Sequence, residues 1–159
     1  MGTKNSTLVA NFEAVPTVKN SAALLHGVVR VAQGTIALAA GDSDDNDIVM
    51  LAPIPSNAVV SQIFVGSDTL GGSCTFNVGI YTAAGAVVDE DLFASAVADA
   101  GAMADVRFEA ANINTAGQKM HTLAGDSVDP GGYYYIAATM QAAGGTAGDM
   151  SFNILYVVN

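Results

Sequence analysis

Residues Ser56 to Phe93 read SNAVVSQIFVGSDTLGGSCTFNVGIYTAAGAVVDEDLF, and this stretch decides the fold class. Two β-type runs, Ala58 to Val65 and Cys74 to Tyr81, flank the turn-rich segment Gly66 to Ser73. Apolar runs on either side of a Gly-rich turn predict an antiparallel pair joined by a loop. In the second run Phe76, Val78 and Ile80 alternate with Thr75, Asn77, Gly79 and Tyr81. A period of two turns the first set onto a core and leaves the second face polar or aromatic. The first run is apolar on both faces, which predicts a central or covered strand. Nothing in the stretch is arranged for catalysis.

Upstream, Val28 to Ala32 and Thr35 to Ala40 read as strands around Gln33-Gly34. They form either a hairpin or one longer strand bulged at Gly34. Ile48 to Leu51 reads as a short strand, with Pro53 and Pro55 breaking the ladder after it. Downstream, Asp89 to Ala98 carries the one helical pattern: Asp89 caps, Glu90 and Asp91 suit the dipole, and Leu92, Phe93, Ala96 and Val97 share a face. Asp105 to Ala110 and Met120 to Leu123 carry weaker strand patterns. Tyr133 to Met140 and Met150 to Val158 are stronger, the latter alternating cleanly. Tyr134 faces opposite to Tyr133 and Tyr135, so part of that run belongs to the core.

About eight short strands with Gly-, Pro- and Asp-rich turns predict an all-β protein. The expected architecture is an antiparallel β-sandwich, jelly-roll-like, with one short helix. Residues 26–159 make a single sandwich domain, and residues 1–25 make an N-terminal arm. The arm has no sustained period, yet Leu8, Val9, Phe12, Val15 and Val18 would be wasteful in a solvated tail. With Lys19 they are the expected interface residues. Lys4 and Lys19 against Glu13 leave the arm at +1, so the other 134 residues carry −11 of the net −10.

That charge opposes binding to nucleic acid or to anionic membranes. The 159 residues are 51% apolar, but much of this is alanine, so the core must be built with small side chains. The single cysteine, Cys74, excludes an internal disulfide framework and reads as a buried strand residue. No run has the length and continuity of a membrane span.

The search for chemistry returns little. His26, His121 and Cys74 have no zinc-site spacing. No nucleophile elbow or phosphate loop is present. Asp42, Asp44 and Asn46 share the first spacings of a calcium loop, but Asp47 replaces its glycine and Pro53 its terminal glutamate. A solvated acidic loop over Asp42 to Asp47 is therefore expected, and a calcium site of another kind stays open. No enzyme activity and no cofactor is expected. A carbohydrate module would need exposed aromatic platforms, and Trp is absent.

The blocks Ile54–Ala58, Val65–Leu70, Phe76–Tyr81 and Gly85–Phe93 together resemble small structural proteins of tailed bacteriophages. The family is that of head decoration, or cement, proteins of jelly-roll type. The resemblance covers about the central quarter of the chain and rests on strand and turn residues. It implies a virion protein on the capsid exterior, partnered with the major capsid protein and with itself as a homotrimer or dimer. Such a protein clamps neighbouring capsid subunits and needs no active site. The alternative is a receptor- or carbohydrate-binding β-module of a head fibre or tail tip.

Overall fold

A computed structural model describes residues 5–21, 25, 27–99, 101–110 and 113–158. Eight strands form two four-stranded sheets: β1 (Val29–Leu38), β2 (Ile48–Pro55), β3 (Ala58–Ser67), β4 (Thr75–Tyr81), β5 (Val87–Ala98), β6 (Ala104–Asp105), β7 (Tyr133–Met140) and β8 (Gly148–Val158). One sheet runs β1-β8-β3-β6 and the other β2-β7-β4-β5, with every pairing antiparallel. First strand pairs with last, second with seventh, and so on inward. That nesting is a long hairpin wound on itself, the jelly roll. Ile63, Met150 and Ile154 of one sheet and Val78, Ile80 and Ile136 of the other are fully buried in the core between them.

Several local expectations change, among them the strand expected at Met120 to Leu123, which is a helical turn. The runs Ala58 to Val65 and Cys74 to Tyr81 are strands, but they lie in opposite sheets. Their connection crosses between the sheets, anchored by buried Leu70, whose amide donates to Asp99 Oδ2 at 2.7 Å and whose carbonyl accepts from Thr146 at 2.8 Å. Gly144 permits this: a Cβ there would lie 2.5 Å from the Leu70 carbonyl oxygen. Turn chemistry alone does not distinguish a hairpin from such a crossing. Second, residues 29–38 form one strand in continuous register with β8, without a bulge at Gly34. Third, β2 runs through to Pro55. It is a sheet edge, where a missing N–H removes no interior bond.

Fourth, the predicted helix at Asp89 to Ala98 is strand β5. Its register breaks repeatedly against β4. Val78 to Ile80 faces the much longer stretch Ala94 to Asp89. Each bulge shifts the phase of alternation, so the two buried residues, Phe93 and Ala94, are adjacent in sequence rather than two apart. Ala96 takes a positive φ of 54° there, held by a 2.9 Å bond from its amide to Asn77 Oδ1. The bulge also lies over Gly79, where a Cβ would sit 2.1 Å from the Asp89 carbonyl oxygen. This covers the second face of β4, which is buried along nearly its whole length rather than solvent-facing. The helices are instead α1 (Thr7–Glu13) and the single turn α2 (Met120–Leu123). The weak strand expected at Asp105 to Ala110 contracts to β6 and a turn.

Arg107 follows β6 and is 1% exposed. Its Nε donates to the Val60 carbonyl at 3.2 Å, and its two terminal nitrogens donate to Thr115 Oγ1 and the Thr115 carbonyl at 3.2 and 3.3 Å. The guanidinium carbon lies 4.7 Å from the Phe93 ring centre and 4.4 Å from that of Phe108. Burial pulls its pKa down to about 10, with Asp105 acting the other way, so it stays a cation at neutral pH. Arg107→Met leaves three acceptors without this donor. It is expected to lower unfolding free energy by about 2–3 kcal/mol. Urea denaturation checks this, and a loss below about 0.5 kcal/mol would remove Arg107 from the core of the account.

Candidate assembly surface

The N-terminal residues fold on themselves. Ser6 caps α1, its hydroxyl accepting from Val9 N at 3.4 Å. Residues 17–20 run back beside the helix. Val18 N donates to the Asn11 carbonyl at 3.1 Å, and Asn20 Nδ2 donates to the Leu8 carbonyl at 3.0 Å. Asn11 Nδ2 reaches Asn20 Oδ1 at 2.9 Å. No residue of α1 is buried. Phe12 is 73% exposed and Val15 98% exposed, with Val9, Val18 and Lys19 also exposed and Leu8 half-buried. The six expected interface residues therefore lie in one compact hook, and five of them are exposed. A hook held by side-chain amides leaves its apolar groups outside, which is unusual for a segment with no partner.

The acidic loop is self-supporting. Asp42 Oδ2 accepts from Ala39 N at 2.9 Å, and Asp47 Oδ2 accepts from Asp44 N at 2.8 Å. Ser43 beneath it is fully buried and accepts from Gly144 N through its carbonyl at 2.8 Å. Among the described residues, no three potential metal ligands of the His, Cys, Asp or Glu type cluster. Asp42 and Asp47 thus act as turn-forming acceptors.

The remaining candidates are structural. Cys74 is 1% exposed beside Met140 Sδ at 3.9 Å, and burial, then Asp99, raises its pKa. His121 Nδ1 lies 3.0 Å from the Ser56 carbonyl, which ties α2 to the β2–β3 turn. Asp129 beside it is held below the usual carboxylate range, first by the Ser56 hydroxyl and then by the Gly131 amide. His26 lies outside the described residues. Of the tyrosine run, part of which was expected in the core, Tyr134 is the buried member, while Tyr133 and Tyr135 face the other way. Their rings meet edge to face at 79°, so the pair makes no common stacking platform. Arg107 escaped sequence reasoning. Its signal was a lone cation between Val106 and Phe108 in a chain with five basic residues. No described helix is long and apolar enough to cross a membrane.

No protein-family model and no curated protein matches the chain. Solved structures do share its fold. The chain is similar to one in the cyanophage Pam1 capsid asymmetric unit, at 20% identity and a TM-score of 0.54, covering 84% of this chain and 86% of that one. It is similar also to one in the capsid of Ralstonia phage GP4, at 18% identity and a TM-score of 0.51, again covering 84% and 86%. At these identities the likeness is one of fold. The class is thus a jelly-roll sandwich of the kind that phage capsids contain.

Two measurements follow. Burial, then the hydrogen bond to Asp126, pushes the Tyr134 pKa up to about 12. An unfolded tyrosine titrates near ~10, so between these values the unfolded chain has lost a proton that the folded one keeps. The Tyr134 contribution is full below ~10 and is lost as pH rises toward ~12. Tyr134→Phe should flatten that part of the alkaline decline relative to wild type, read from urea midpoints. Arg107 acts with opposite sign in both proteins and cancels. In the second, millimolar calcium should shift the melting temperature by less than ~1 °C, since the loop lacks the oxygen set calcium takes. A clear rise would assign Asp42 to Asp47 a cation.

Proposed function

We propose that this chain is a virion structural protein that decorates the outside of a phage capsid. It clamps neighbouring capsid subunits and performs no catalysis. One observation carries the reading: a jelly roll shared with chains of two phage capsids bears a hook of exposed apolar residues. The acidic body keeps particles dispersed by mutual repulsion. The hook is the less acidic part, and its apolar residues gain most from being covered. A protein that binds only the assembled shell stabilises it by mass action. A glycan-binding module is the weaker reading, because the exposed tyrosines meet edge to face.

The test is co-sedimentation with capsid shells from the same phage that lack this protein. Removing residues 1–20 is expected to abolish binding. Phe12→Ser combined with Val15→Ser is expected to weaken it about tenfold or more, from the loss of two buried apolar groups. The isolated variant should melt within ~2 °C of wild type, since neither side chain is packed. Unchanged shell binding by both variants would end the arm's role.

A further inference from the structure

The two sheets have four edges, and they are not alike. An open edge is a template for pairing, and proteins block it with proline, charge, bulges or shortness. Edge β2 carries Pro53 and Pro55. Edge β5 is repeatedly bulged and carries Asp89, Glu90 and Asp91. Edge β6 is two residues long and includes Asp105. Edge β1 has the least of these devices, a single charge at Arg30. It spans ten residues in unbroken register with β8, without proline or carboxylate. Among the described residues no strand pairs with its outer side. Val29 and Val31 on its outward face are each 53% exposed.

We propose that β1 pairs with β1 of a second copy, antiparallel about a two-fold axis, joining two four-stranded sheets into one of eight. Charge selects the occupant. In a chain of net −10, β1 is a long strand whose only charge is Arg30, so two copies meet there with no carboxylate opposed to carboxylate. Pairing about Gln33, near the midpoint, sets Val31 opposite the partner's Thr35, two β-branched residues that suit a cross-strand pair. It also sets Arg30 opposite Ile36. The two arginines then stand about 20 Å apart along the strands, beyond the screening length of ~8 Å. Asn153 lies across from Gln33 on β8, and its buried Oδ1 has no donor. Ordering Gln33 at the axis brings a carboxamide donor beside it. A three-fold ring built on edges needs a second open edge on each copy, and the described residues offer none. An edge that pairs with itself closes at two. This assembly is independent of the capsid role.

A cysteine at Gln33, or cysteines at Val31 and Thr35 together, in the full-length protein test it, since facing residues in an antiparallel pair lie about 4.5–5.5 Å apart, within disulfide reach. Cys74 is buried and does not compete. Light scattering should give twice the 16.0 kDa chain mass. Gln33→Cys should yield a covalent dimer on oxidation, and Val31→Cys with Thr35→Cys in one chain should do the same. Val31→Lys with Thr35→Lys sets like charges opposite each other and should weaken the dimer at least about tenfold, with the fold retained. A monomer at tens of micromolar with no cross-link overturns the proposal. So does a trimer indifferent to these variants. A monomer whose β1 is protected only on capsid shells assigns the edge to a foreign strand and overturns self-pairing.

Discussion

A buried guanidinium without a carboxylate partner at its charged end holds this sandwich together across three chain segments. Arg107 joins the β3 backbone at Val60 to the turn at Thr115 and lies between the rings of Phe93 and Phe108. A buried charge is tolerated only where its donors are met. Here a planar fork of donors finds a hydroxyl and two carbonyls, and aromatic faces supply the rest. Lysine has no such fork. The long connection from β5 to β7 therefore has one docking position.

Small residues do the complementary work. Gly79 and Ala137 pair across β4 and β7, and both are buried. Nothing larger fits at Gly79, because the bulge of β5 rests on it. Gly144 lets the loop after β7 pack on the crossing between β3 and β4. The alanine-rich composition is thus a condition for bringing backbone close to backbone. It also leaves the fold short of large apolar groups, which makes the exposed ones in the hook and on β1 more telling.

Charge is distributed to the same end. Carboxylates guard β5 and β6, prolines sit on β2, and acidic loops surround the ends. The places with neither acid nor proline are few. β1 stands out because of that contrast.

The class of fold, most of the strands and the core position of Cys74 were legible in the residues. They follow from local rules: period-two alternation, turn chemistry, and the cost of leaving apolar groups in water. The acidic stretch was read as a loop, and Asp42 and Asp47 there accept turn-forming hydrogen bonds. Other features depended on what lay opposite in space. Asp89 to Ala98 has apolar residues at helical spacing, yet it pairs with β4 as a bulged strand. The prolines of β2 looked like breakers until the strand proved to be an edge. Ala58 to Val65 and Cys74 to Tyr81 looked like partners until the crossing placed them in different sheets. Arg107 carried no distinguishing local signal, and only Phe93 and Thr115 closing around it show its role. Periodicity says which face of a segment is buried. Only the tertiary structure decides which neighbour buries it, because strand pairing joins residues far apart in sequence and carries no local signal.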